Sequence, residues 1–86
     1  MQISGVLEAA SPMQPARNGN FYRSLKIRQA NSKLTAVQIF QDHPSFLDLV
    51  NNFNDYDQKQ VTISNVRQSE AGYLSLGRYS NISVNQ

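Results

Sequence analysis

The chain contains no cysteine and no tryptophan, and its one histidine is His43. Without cysteine it can form neither a disulfide framework nor a thiolate metal site. No second histidine or nearby glutamate accompanies His43, and the acidic stretch at residues 55–57 lacks the glycine and terminal glutamate of a calcium loop. Because no catalytic constellation and no phosphate-binding glycine loop is found, we expect no enzymatic activity and no cofactor.

Long apolar runs and a dense charge of one sign are also missing. No run approaches the roughly 20 apolar residues that cross a bilayer. The first residues lack the features of a secretory signal, so we expect an intracellular protein without a membrane partner, cytoplasmic if its source is prokaryotic or viral. The net charge is only +2 and the pI about 9.2. Charge alone would therefore attract a polyanion weakly.

What the sequence does contain is a series of short segments that predict strands, within one domain spanning residues 1–86. The five predicted strands are Ile3–Ala9, Phe21–Gln29, Leu34–Gln41, Lys59–Arg67 and Tyr73–Gly77. A further short segment, 78–84, is expected to pack beside the last strand. Gly5 inside the first strand indicates a bend. The two prolines and the Asn-Gly pair within residues 10–20 predict a long loop.

Alternation in the second and third strands separates two faces. Leu25, Ile27, Val37 and Ile39 are predicted to point inward. The opposite face then carries Tyr22, Ser24, Lys26 and Arg28 from the second strand, with Ala36, Gln38 and Phe40 from the third.

One amphipathic helix is predicted between the third and fourth strands. Its apolar stripe has the spacing i, i+3, i+4, i+7 and consists of Phe46, Leu49, Val50 and Phe53. Asp42 or His43 is expected as the N-cap, with Pro44 in the first turn. Five short strands favour closure into a small barrel, because closure removes exposed edges. The helix is then expected to cover one open end.

This order of elements resembles the OB-fold, a five-stranded Greek-key barrel with one helix. Residues 37–50 resemble the third strand and helix of OB domains from the replication protein A and single-stranded-DNA-binding groups. Residues 61–84 resemble their closing hairpin, in which G-x-L-S-L leads to S-x-I-x-V. The resemblance covers essentially the whole chain. It implies a protein that binds single-stranded nucleic acid, DNA more than RNA, with little sequence preference.

The resemblance also implies a binding site, since the ligand of OB domains crosses the outer face of strands two and three between two loops. Carried onto this chain, the implied nucleic-acid-binding residues are Arg17, Tyr22, Ser24, Lys26, Arg28, Lys33, Gln38, Phe40 and Tyr73. Aromatic rings and cations alternate in this set. Single strands need both, because rings stack on bases and cations follow the phosphates.

Alternatives remain open for these residues and for the function. Tyr22 could serve only in cross-strand packing, Phe40 could turn under the helix, and Lys26 and Arg28 could form a solvated face. The chain could also be an OB-fold interaction module that forms a homo-oligomer or docks with replication or recombination proteins. An oligosaccharide-binding barrel is a third reading, disfavoured because no secretory signal is found.

Overall fold

The computed structural model of the chain describes residues 1–17 and 19–85. Within these residues it has six strands, one α-helix and one turn of 3-10 helix. In chain order they are β1 (Ile3–Ala10), β2 (Gln14–Pro15), β3 (Phe21–Arg28), β4 (Leu34–Phe40), α1 (Phe46–Asn51), the 3-10 helix (Phe53–Asp55), β5 (Gln60–Gln68) and β6 (Leu74–Val84). The prediction of a mostly β chain with one short helix is confirmed.

The strands form one sheet in the order β1-β5-β6-β4-β3-β2, and β1 also pairs with β3. Residues 3–6 of β1 pair with β5, and residues 6–10 pair with β3. Starting from β1, the pairings therefore run through β3, β4, β6 and β5 and return to β1. Only the β4–β6 pair is parallel among the described strands. This circuit places β6 beside β4, although a helix and β5 separate them in the sequence.

The predicted number of five strands is wrong, because the segment predicted as a long loop contains β2. Gln14 pairs with Tyr22 and Pro15 pairs with Phe21 at the end of the sheet. Proline is acceptable there, since an edge strand does not need every backbone N–H for its ladder. The last strand is also longer than predicted. β6 continues past Gly77 to Val84 and takes in the segment that was expected to pack beside it.

Gly5 lies where β1 passes from one neighbour to the other. A Cβ atom on this residue would lie 2.3 Å from the carbonyl oxygen of Arg28 in β3. Glycine is therefore required for the close approach of the two backbones. The irregularity in the β1–β3 register falls between Leu7 and Ala9, a few residues further along.

The core lies between the inner face of the sheet and α1. Its buried residues are Ile3, Leu7, Leu25, Ile27, Val37, Ile39, Phe46, Leu49, Val61, Ile63, Val66 and Leu76. Val50 and Phe53 are partly buried and pack against this cluster. The predicted apolar stripe thus covers the core, although Phe53 belongs to the 3-10 helix and not to α1.

The predicted start of the helix is wrong. The N-cap is Ser45, and Pro44 precedes the helix. His43 is buried instead, and its Nδ1 accepts the N–H of Ser45 at 3.0 Å. Nε2 therefore carries the proton and donates to the carbonyl oxygen of Ser80 at 2.9 Å. This contact connects the turn before α1 to β6. No helix in the described residues is long and apolar enough to cross a membrane.

Candidate nucleic-acid interface

The outer face of β3 and β4 gathers six of the nine predicted site residues. Tyr22 pairs with Phe40, Ser24 with Gln38, Lys26 with Ala36, and Arg28 with Leu34. On the other side of the same strands the four predicted inward residues are fully buried. The alternation in the sequence therefore predicted the two faces correctly. We call the surface formed by Tyr22, Ser24, Lys26, Arg28, Gln38 and Phe40 the outer face.

Two aromatic rings lie in contact at one end of the outer face. The ring centroids of Tyr22 and Phe40 are 5.6 Å apart, and the ring planes are tilted by 39°. The Tyr22 hydroxyl donates to Oε1 of Gln14 in β2 at 2.9 Å. Phe40 is half-buried and does not belong to the core cluster, so it has not turned under the helix. The pair is held in place but keeps part of its ring surface open to solvent.

The cations of the predicted site differ in what they contact. Lys26 and Lys33 are exposed and form no ion pair within the described residues. Arg28 instead forms two hydrogen bonds to the carboxylate of Glu8, at 3.0 and 3.2 Å, and donates to the carbonyl oxygen of Ser32 at 2.9 Å. The hydrogen bond from Arg28 lowers the pKa of Glu8, and the same bond raises the pKa of Arg28. Much of the Arg28 guanidinium is therefore used inside the protein.

A groove of about 640 Å³ joins four predicted residues that come from separate elements. Ser24 and Gln38 lie on its sheet side, Lys33 follows from the turn between β3 and β4, and Tyr73 comes from the turn before β6. Tyr73 is 65% exposed. The groove thus offers a cation, an open ring and amide and hydroxyl groups within one concave surface.

Arg17 is the predicted residue that the structure leaves apart. It is exposed in a turn after β2, where the N–H of Gly19 bonds to the carbonyl oxygen of Ala16 at 3.2 Å. Arg17 does not line the groove. Its charge lies near the β2 end of the sheet, so it could meet only a ligand that extends past the aromatic pair.

Sequence reasoning missed a second cavity, of about 580 Å³, that begins at Phe40 and extends over β6. Its lining includes Arg67, Gly77 and Arg78. The parallel β4–β6 pairing aligns Val37 with Leu74 and Gln38 with Ser75. Continuing this register along both strands leads from Phe40 in β4 to Gly77 in β6. The cavity could therefore be predicted only if β4 and β6 were known to be neighbours.

Comparisons with protein-family models, with curated proteins and with solved structures found no match to this chain. The outer face and the resemblance to OB domains are therefore what indicates a function. Two half-buried rings, the exposed cation Lys26 and neutral hydrogen-bonding groups occur there together. Such a surface can stack planar groups and hold anions at the same time.

Proposed function

We propose that this chain is an OB-type barrel that binds single-stranded nucleic acid on its outer face, DNA in preference to RNA, with little sequence preference. The Tyr22–Phe40 pair is the observation that carries the proposal. DNA is favoured because the resemblance is to single-stranded-DNA-binding domains.

The order of the elements supports the fold part of the proposal. β1, β3, β4, β5 and β6 correspond in sequence order to the five strands of the OB-fold, and α1 lies between the third and the fourth of them. Their pairings return to β1, which is what a closed or partly open barrel requires. β2 is then an addition of two residues within the first long loop.

The aromatic pair supports stacking as the main source of affinity. Each base stacked on a ring contributes about 1–3 kcal/mol and demands no particular base identity. A chain with a net charge of +2 needs such a contribution, because phosphate contacts alone would be weak. Lys26 and Lys33, whose ammonium groups form no ion pair in the described chain, are the cations that we assign to phosphates on this side.

Substitution of the two rings tests the proposal. Tyr22→Ala and Phe40→Ala should each weaken binding to oligo-dT by about 1–3 kcal/mol, since each removes one stacking surface. Tyr22→Phe should bind nearly as well as the wild type, because it loses the hydrogen bond to Gln14 but keeps the ring. Fluorescence anisotropy measures the affinities, and circular dichroism checks that each variant is folded.

Leu47→Ala is the matched control. Leu47 is 66% exposed on α1, away from the outer face, so its removal should leave binding unchanged. Wild-type affinity in folded Tyr22→Ala and Phe40→Ala variants would refute the assignment of the site.

An assembly module is the second candidate, carried by large apolar side chains exposed outside the outer face. Leu47 is 66% exposed, Tyr79 75% and Met13 52%. They lie on different elements, and single exposed apolar residues are common on monomers, so this candidate ranks second. Size-exclusion chromatography with light scattering tests it. A concentration-dependent dimer that Leu47→Ala or Tyr79→Ala abolishes would favour assembly, and a monomer throughout would count against self-assembly.

A further inference from the structure

The cavity beyond Phe40 is formed by an irregularity in β6. Ser64 pairs with Asn81, and the next pair is Val66 with Leu76. The two pairs are two residues apart in β5 but five residues apart in β6. Residues 77–80 therefore bulge out of the ladder. The hydroxyl of Ser80 closes the bulge, because it accepts the N–H of Gly77 at 2.8 Å and donates to the carbonyl oxygen of Asn65 at 2.6 Å.

Arg67 reaches this cavity by lying across Gly77. A Cβ atom at position 77 would lie 2.1 Å from Cδ and 2.9 Å from Cγ of the Arg67 side chain. Gly77 does not have the positive φ that Gly19 and Gly72 have, so its backbone would accept other residues. Glycine is needed at this position for space alone, and that space is occupied by the stem of Arg67.

Two guanidinium groups at the cavity form no ion pair within the described residues and are open to a ligand. Neither Arg67 nor Arg78 has an ion pair within the described residues, and Arg78 lies over the ring of Tyr79 at 5.7 Å. Asp42 also lines the cavity, so the balance of the three charges is positive. Both ring nitrogens of His43 are already used by Ser45 and Ser80, and no donor or acceptor remains there for a ligand.

We infer that this cavity binds a phosphodiester group of the single strand whose base stacks on Phe40, with Arg67 as the phosphate-binding residue and Gly77 as the residue that gives it room. The inference rests on the proposed function. Phe40 belongs both to the aromatic pair and to the cavity lining, so a base on its ring places the adjoining phosphate toward Arg67 and Arg78. The bound nucleic acid then crosses β6 as well as β3 and β4.

Three variants test this path by anisotropy with oligo-dT over a range of salt concentrations. Arg67→Gln should weaken binding about fivefold, near the upper range for an exposed charge pair. It should also reduce the magnitude of the salt slope by about 0.7, the value of one phosphate contact on a single strand. Gly77→Ala keeps Arg67 but displaces its stem, so it should lose about as much affinity. The double variant should lose no more than either single one, because both remove the same contact.

Lys59→Gln is the matched control, since it removes one exposed positive charge just before β5 and far along that strand from Arg67. If Arg67→Gln behaves like Lys59→Gln while Tyr22→Ala and Phe40→Ala still weaken binding, the inference is overturned and the proposed function stands. If Gly77→Ala binds like the wild type while Arg67→Gln does not, the role of Gly77 is overturned. If the wild-type protein binds no oligo-dT, the proposed function and this inference both fail.

Discussion

At the scale of single residues, Tyr56 shows how a side chain after the helix is fixed by one carboxylate. Its hydroxyl donates to Oδ2 of Asp48, and Nδ2 of Asn52 donates to Oδ1 of the same carboxylate at 2.8 Å. The hydrogen bond from Tyr56 lowers the pKa of Asp48, helped by Asn52. Burial, followed by the bond to Asp48, raises the pKa of Tyr56 to about 12. The pair links α1 to the turn that leads into β5.

The raised pKa of Tyr56 predicts an alkaline loss of stability. The folded chain holds the phenolic proton more tightly than the unfolded chain, so the contribution is complete below the ordinary pKa of 10.0 and is lost as pH rises through about 12. Tyr56→Phe lacks this dependence and should cost about 1 kcal/mol at neutral pH, where it removes the hydrogen bond. Urea unfolding from neutral to strongly alkaline pH measures both effects. Parallel losses in the wild type and Tyr56→Phe would contradict the assignment.

At the scale of elements, α1 is too short to be stable on its own. It has six residues, and isolated helices shorter than about 12 residues are marginal in water. Its stability therefore comes from the burial of Phe46 and Leu49 and from Arg23 of β3. Nη1 of Arg23 donates to the carbonyl oxygen of Leu49 in the last turn, Nε donates to the carbonyl oxygen of Ser11 at 2.9 Å, and the guanidinium lies 5.4 Å from the centre of the Phe53 ring.

Loss of this guanidinium should destabilise the protein. Arg23→Ala is expected to lower the free energy of unfolding by about 2 kcal/mol, because two carbonyl contacts from a charged donor disappear. Arg23→Lys should recover only part, since an ammonium group cannot reproduce the planar fork. Lys26→Ala, on the opposite face of the same strand, should change stability by no more than about 0.5 kcal/mol. Equal urea midpoints for Arg23→Ala and Lys26→Ala would refute this role of Arg23.

The elements also show which features a local pattern can predict. The alternation of β3 and β4 depends on burial of one face, so it identified Leu25, Ile27, Val37 and Ile39 as inward residues. The errors arise from contacts that the alternation of polar and apolar residues does not show. Gln14 and Pro15 pair with β3 only six to eight residues further along the chain. His43, which was expected at the start of the helix, is buried and bonds to Ser80 instead.

At the scale of the whole molecule, the pairing circuit decides which residues share a surface. The outer face could be predicted because β3 and β4 are consecutive, and Tyr22 and Phe40 do meet on it. The cavity with Arg67 and Gly77 could not be predicted, because it needs β4 beside β6 and a bulge whose register involves β5. The ion pair of Arg28 could not be predicted either, because its partner Glu8 belongs to β1.

Binding of a single strand in preference to a duplex is the property on which the proposed function depends. Fluorescence anisotropy would compare a labelled oligo-dT of about 30 nucleotides, long enough for the roughly 4–16 nucleotides that one OB domain covers, with a duplex of equal length. Titrations at low and at moderate salt separate stacking from charge attraction. We expect micromolar or tighter binding to the single strand, weak binding to the duplex, and affinity that persists at moderate salt. Binding of neither oligonucleotide at low salt, or equal binding of both, would refute the proposed function.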